Sequence, residues 1–267
     1  MVSNSLNTKV KDKNDLVGLV SLPLAGELPL LSGKERKKLP LVVINSRSFM
    51  EECFHILRNN TELLLLPNPE KASRVVFLTS TRTGEGKTFT ALNLAAAYAQ
   101  TGKKVLLIDG DLRKASLSAF CGGKNSRGLA HLLMNPLASP DSVLQSGENF
   151  PGFDIVPAGP VPPNPAALLT QGRFEDLIRY WRTRYDRIIV DGCPYEAVAD
   201  ASLMARHADL VLYLIRCGMI EKQYVPSIQE LAARGEFQSV ALILNAENFK
   251  NSRFHYYSEY SGSKTAG

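Results

Sequence analysis

Cysteine is scarce in this chain and tryptophan nearly absent: four residues of 267 are cysteine and one is tryptophan. Cys53, Cys121, Cys193 and Cys217 lie far apart, with no CxxC pair. That spacing provides neither a zinc knuckle nor a disulfide framework, and it fits a reducing cytoplasm. Histidine is as sparse, and His55, His131, His207 and His255 have no metal-ligand spacing, so they read as structural or surface residues. No signal peptide is visible and no apolar run approaches the ~20 residues of a membrane span. The most apolar early stretch, LVGLVSLPLAGELPLL (Leu16–Leu31), is broken by prolines and glycines that a spanning helix does not accommodate. Charge of one sign is not concentrated either. The formal net charge is +5, and the one basic cluster, KERKK at Lys34–Lys38, reads as a solvated loop. A nucleic-acid surface gathers basic residues more densely, so no nucleic-acid partner is expected.

What is present is ordinary globular composition, 45% hydrophobic and 21% charged, on a chain long enough for one large α/β domain. Residues 1–14 are polar and read as unstructured; residues 15–45 read as extended and proline-punctuated. RSFMEECFHILRNNTELLLL (Arg47–Leu66) reads as a helix capped by Ser46, with Phe49, Cys53, Ile56 and Leu57 at helical spacing. From there strands and helices alternate. RVVFLTS, KVLLIDGD, FDIVPAG, DRIIVDGCP, ADLVLYLIRCG and SVALILN read as strands. KTFTALNLAAAYAQTG, GRFEDLIRYWRTRY and KQYVPSIQELAARG read as helices. Strands that are almost continuously apolar, alternating with helices, predict an α/β fold with a mostly parallel sheet covered by helices on both faces. In such folds ligands bind at the carboxyl ends of the strands, where each acidic or glycine-rich loop of this sequence falls. The expected organisation is an extended segment over 1–45, one domain over 46–249 and a tyrosine-rich tail over 250–267.

TGEGKT (Thr83–Thr88) joins a strand to a helix, the context of a phosphate-binding P-loop. Backbone N–H groups of such a turn and the helix N-terminus face phosphates. Lys87 is placed to bridge the β- and γ-phosphates and the Thr88 hydroxyl to ligate magnesium, while Thr83, Gly84, Glu85, Gly86 and Phe89 complete the nucleotide-binding stretch. The textual pattern GxxxxGK[ST] fails at its first position, which is Thr81. IIVDGCP (Ile188–Pro194) ends an apolar strand in Asp191, the Walker B position expected to hold magnesium through water. VLLIDGDLRK (Val105–Lys114) ends a second strand in the same way, with Asp109 and Asp111. A simple ATPase manages with one acidic strand end. A second pair implies either a further magnesium contact or a base for an attacking hydroxyl.

With these motifs in this order the sequence resembles the bacterial tyrosine kinases, cytoplasmic modules of capsule and exopolysaccharide co-polymerases, from about Leu16 to Tyr260. TSTRTGEGKT is similar to the family's Walker A, VLLIDGDLRK to its additional Walker A′ and IIVDGCP to its Walker B. GPVPPNPAALL (Gly159–Leu169) resembles a loop of the family, and HYYSEY its terminal tyrosine cluster. The resemblance implies a P-loop NTPase-type, MinD/ParA-like fold and transfer of the ATP γ-phosphoryl group to tyrosine, with magnesium as cofactor. It implies catalytic roles for Lys87, Asp109, Asp111 and Asp191, a metal shell from Thr88, Asp109 and Asp191, and Asp111 as the base for the phenol. Asn245 stands where related ATPases hold adenine, or else satisfies backbone at a strand end. Tyr256, Tyr257 and Tyr260 are the implied phosphoacceptors. The partners implied are a ring-like homo-oligomer, a membrane-embedded co-polymerase portion or adaptor, and a cognate tyrosine phosphatase, at the cytoplasmic face of the bacterial inner membrane.

The chain departs from the family at several positions. Thr83 and Ala115 stand where proline is usual, Cys193 replaces the first of two prolines, and the ring-forming ExxRxxR pattern reads Glu52, His55, Arg58. Histidine keeps a cation only at lower pH, which weakens the expectation of a ring. Two other readings stand beside the kinase. One is a ParA/MinD-type positioning ATPase, although Arg82 occupies the place of the signature lysine of those proteins. The other is a co-polymerase module that binds nucleotide without turnover.

Overall fold

The computed structural model describes residues 8–31, 48–65, 73–119, 127–146, 152–195 and 199–249. Their strands and α-helices run β1 (Leu24–Pro29), α1 (Phe49–Leu64), β2 (Arg74–Ser80), α2 (Lys87–Ala99), β3 (Val105–Asp109), α3 (Leu129–Met134), β4 (Phe153–Val156), α4 (Pro165–Leu169), α5 (Arg173–Arg182), β5 (Arg187–Asp191), α6 (Asp200–Ala205), β6 (Leu210–Arg216), α7 (Val225–Ala233) and β7 (Val240–Glu247). The strands form one sheet in the order β1-β7-β6-β2-β5-β3-β4, every pair of neighbours parallel.

The apolar strands are explained by burial on both faces. Side chains alternate along a strand, so Val75 and Phe77 of β2 enter the core on one side of the sheet while Val76 and Leu78 enter the core on the other. The first core is closed by α5, α6 and α7 through Leu177, Trp181, Met204 and Ile228. The second is closed by α1 and α2, with Phe54 and Leu57 meeting the sheet beside the alanine-rich α2. In α2 every residue from Thr90 to Tyr98 is buried, and its small alanines let the helix backbone lie close on the strands. This fixes the helix that follows the phosphate loop at the middle of the sheet.

Several sequence expectations change at the amino-terminal side. The extended stretch contributes β1, which adds a parallel edge strand to β7. A Cβ at Gly26 would meet Leu57 of α1 at 3.0 Å, so the glycine that weakened the strand signal is what lets α1 lie across it. Residues 8–10 are not free: Val10 is wholly buried, and this segment exchanges backbone hydrogen bonds with residues 218–222. Helix α1 is capped by Ser48, whose Oγ accepts the Glu51 N–H at 3.2 Å, not by Ser46, which lies outside the described residues. Its buried face uses Phe54, and Ile56 is exposed. The Lys34–Lys38 cluster and Tyr256, Tyr257 and Tyr260 also lie outside the described residues. Among those described, no helix is long and apolar enough to cross a membrane.

Candidate active site

The carboxyl ends of β2, β5, β3, β6 and β7 adjoin along one edge of the sheet. At β2 the chain turns through Thr81–Gly86 into α2. Gly84 and Gly86 have φ of 87° and 100°, the left-handed region open to glycine. A Cβ on Gly86 would also lie 2.2 Å from the Asn245 amide nitrogen. Lys87 folds back across the loop, its Nζ donating to Ser80 Oγ at 2.8 Å and to the Arg82 carbonyl at 3.4 Å. Burial lowers the affinity of this amine for its proton, while the charges of Asp191, Glu85 and Asp111 oppose that shift. The loop is thus already wound, with its lysine held inside it, as a phosphate cradle requires.

The expected nucleotide-binding residues divide between surface and support. Thr83 and Gly84 are exposed, and Thr88 is half-buried at the start of α2. Glu85 is fully buried beneath the loop. Its carboxylate accepts the N–H of Arg82 at 2.6 Å and of Arg216 at 3.4 Å, so the side chain ties the loop to the end of β6. Burial raises its proton affinity against those bonds. Phe89 turns its ring edge-on to Phe54 of α1, 5.8 Å between centroids. Asn245 donates from Nδ2 to the Glu85 carbonyl at 2.6 Å and accepts the Ala246 N–H at Oδ1. Of the two readings of Asn245, this geometry favours support of the backbone.

Three carboxylates stand at the adjoining ends of β3 and β5, where Asp109 and Asp191 are register partners. Asp109 is wholly buried and accepts the N–H groups of Asp111 and Leu117 at 3.2 and 3.1 Å. Burial, with Asp191 beside it, raises its proton affinity well above the ordinary carboxylate range. Asp111 accepts the N–H groups of Arg113 and Lys114 on Oδ1 alone, which leaves Oδ2 without those bonds. Asp191 is 1% exposed, and among the described residues neither of its oxygens has a hydrogen-bond partner. Burial raises it to about 7 against the nearby Thr88 hydroxyl and Lys87 ammonium. A buried carboxylate with both oxygens unpaired is costly and calls for a cation. The donor set therefore fits magnesium, with the Thr88 hydroxyl and Asp191 placed to hold it and Asp109 behind them.

Backbone bonds knit the three loops together. Gly110 donates to the Asp191 carbonyl, Gly192 to Leu78 and Tyr195 to Ser80. A side chain at Gly192 would strike the Phe77 ring at 2.2 Å, so the glycine after the Walker B aspartate is needed for the strands to converge. Ala115 has φ +46°, a conformation closed to proline, so the departure there accompanies a backbone path proline would forbid.

Some supporting residues escaped the sequence reading because their partners are remote. Asp200, 1% exposed, receives the Arg113 guanidinium at 2.8 and 3.3 Å, pinning the Asp109–Arg113 turn to α6. Thr81, at the position of the missing glycine, shares a hydrogen bond with the buried Tyr213 hydroxyl at 3.0 Å. Lys114 reaches the Thr83 hydroxyl at 3.4 Å. On α1, Glu52 faces solvent and His55 lies 3.8 Å from Glu51. Arg58 bonds Asn59 and the Ala97 carbonyl of α2, so its guanidinium is engaged within the chain.

A parallel sheet carrying a wound phosphate loop, a buried lysine and an unpaired buried aspartate at a strand end defines a P-loop nucleotide-binding protein that takes ATP and magnesium. Residues 76–245 match the CobQ/CobB/MinD/ParA nucleotide binding domain family. The tyrosine-protein kinase YwqD of Bacillus subtilis is 33% identical over 226 residues, covering 84% of this chain and 93% of that protein. The tyrosine-protein kinase Wzc of Salmonella typhimurium is 32% identical over 84% of this chain, which spans 31% of Wzc. The solved kinase domain of the Escherichia coli tyrosine kinase ETK superposes with a TM-score of 0.77 at 26% identity, over 87% of this chain and 93% of that domain. The chain belongs to the bacterial tyrosine-protein kinases.

Proposed function

We propose that this kinase phosphorylates Tyr256, Tyr257 and Tyr260 of a neighbouring copy, and that it regulates capsular or exopolysaccharide polymerisation and export. The observation that carries the reading is the convergence of Asp111 and Asp191 on the buried Lys87, with Asp109 at the adjoining strand end and Oδ2 of Asp111 clear of its own turn. Thr83 to Thr88 cradle the phosphates, and Lys87 swings from Ser80 to the β- and γ-phosphates. Thr88, Asp191 and Asp109 would hold magnesium, which when bound would neutralise charge on the phosphate oxygens. Asp111 orients the tyrosine hydroxyl and takes its proton. A phenol with pKa near ~10 stays protonated at neutral pH, so a carboxylate within reach is needed. The phenolic oxygen bonds to the γ-phosphorus, the bond to the bridging oxygen breaks and ADP leaves.

Copies associate in a ring through Glu52, His55 and Arg58 of α1, and Arg58 must exchange its bonds within the chain for partner contacts. The tail extends past Phe249, and three phosphates would bring roughly −5 of charge close to the aspartates, which releases it. The partner is a membrane-embedded co-polymerase portion or adaptor, a reading supported by the length of Wzc, of which this chain spans 31%. With such a partner the chain works at the cytoplasmic face of the inner membrane, and a tyrosine phosphatase reverses the modification. Mixing a Lys87→Ala chain with one carrying Tyr256→Phe, Tyr257→Phe and Tyr260→Phe tests transfer between copies. Phosphate is expected on the tail of the inactive chain. No phosphate on that tail, while the unmodified chain alone labels its own tail at a rate independent of concentration, contradicts it.

A further inference from the structure

Tyrosine is the side chain this enzyme modifies, so each tyrosine hydroxyl is either available to react or already committed. Six of the nine tyrosines lie among the described residues. Tyr98 and Tyr213 are buried, Tyr213 against Thr81. Tyr180, Tyr185 and Tyr195 each donate the hydroxyl proton to a carboxylate, of Asp141 at 2.7 Å, Asp154 at 2.7 Å and Glu236 at 3.1 Å. A phenol so bonded has its proton committed and would carry a second negative group towards the γ-phosphate. Tyr224 alone of the six escapes both conditions. It is 43% exposed, and its side chain makes no hydrogen bond or ring contact among the described residues.

Its position adds a second argument. Strand β6 ends at Arg216, whose N–H reaches Glu85 of the phosphate loop, and Tyr224 follows at the start of α7 before the chain crosses back to begin β7. Tyr224 therefore stands on the sheet edge that bears the active site. A copy that presents this edge to another presents the free phenol with it. The nine-residue helix α7 begins immediately after it, and negative charge near a helix N-terminus is favoured.

We infer that Tyr224 is a phosphoacceptor outside the tail, modified by a second copy of the chain; this rests on the kinase activity but not on the tail. The Tyr224 oxygen bonds to the γ-phosphorus of ATP, its proton passes to Asp111 of the acting copy, the γ-phosphorus–bridging oxygen bond breaks and ADP departs with that electron pair. The added charge, about −1.5 to −2 at pH 7, would stand close in sequence to Glu221 and to the Lys222–Asp15 ion pair that helps hold the amino-terminal segment on this edge.

The test uses the chain with Tyr256→Phe, Tyr257→Phe and Tyr260→Phe, mixed with the Lys87→Ala chain, γ-labelled ATP and magnesium, followed by phosphopeptide mapping. Label on Tyr224 of the Lys87→Ala chain is the expected result, lost when that chain also carries Tyr224→Phe, which keeps the ring. The proposal is overturned if the Lys87→Ala chain is labelled on its tail with none at Tyr224, or if label outside the tail falls on Tyr180, Tyr185 or Tyr195 instead. Absence of label from every tyrosine would remove the kinase activity itself and the proposal with it, a result distinct from failure at Tyr224 alone.

Discussion

At the level of single residues, Asp111 is what distinguishes transfer to a phenol from nucleotide binding alone. Asp109 and Asp191 are buried and committed to the strand ends, whereas Asp111 is 8% exposed and keeps Oδ2 clear of its own turn. Asp111→Asn preserves the turn, because the amide oxygen can still accept from Arg113 and Lys114, but it removes the base. Transfer should slow by ~10²-fold or more with ATP affinity little changed. Rapid-mix phosphorylation alongside ATP titration separates the two effects, and an equal loss of affinity would instead place Asp111 with the magnesium ligands. Residues with a local motif were legible in sequence: Lys87, Thr88 and the three aspartates are all where strand-end reasoning puts them. Backbone support was one of the two readings of Asn245, but its partner in the phosphate loop was not legible, nor was the use of the Glu85 side chain as a brace. Both depend on contacts between distant segments, as in the Asn245 bond to Glu85, 160 positions apart. The Arg113–Asp200 pair and the Tyr213–Thr81 bond are hidden for the same reason.

At the scale of elements, the long strands and the helices α2, α5 and α7 were readable because burial on two faces or on one stripe leaves a periodic apolar trace. Edge strand β1 was not, since Gly26, which its packing against α1 requires, and Pro29 at its end both weaken a strand signal. Helices α3, α4 and α6, of five or six residues, are too short to show a period. The far end of the sheet is tied by the Arg187 guanidinium of β5, which binds Glu62 of α1 through two hydrogen bonds of 2.7 and 2.6 Å. Burial works to raise the Glu62 pKa, but the Arg187 hydrogen bonds and charge outweigh it and hold the carboxyl below its usual range. The folded pKa is therefore below the unfolded value of ~4.3. Stability from this pair is fully present above that unfolded value and is lost as pH falls through the folded pKa. Because Glu62 is a third exposed, Arg187→Ala should cost only ~1–2 kcal/mol at pH 7. Denaturant unfolding at pH 7 and below pH ~4 checks this: the difference from the unmodified chain should shrink in acid. A difference that stays constant would show that the loss is packing and not the ion pair.

At the scale of the whole molecule, one sheet edge holds the phosphate loop, the three aspartates and Tyr224, and the chain runs on from β7 into a tail with three tyrosines. A second acidic strand end beside the nucleotide offers either a further magnesium contact or a base for an attacking hydroxyl. In the proposed reaction the γ-phosphoryl group goes to protein tyrosine and not to water. The most direct measurement is the fate of γ-labelled ATP incubated with the full chain and magnesium, read as protein phosphotyrosine against free phosphate, with Lys87→Ala in parallel. The account predicts label on tyrosine in the unmodified chain and none in the Lys87→Ala chain. Release of all the label as free phosphate, with no phosphotyrosine formed, would contradict it and would make this chain an ATPase of the same fold.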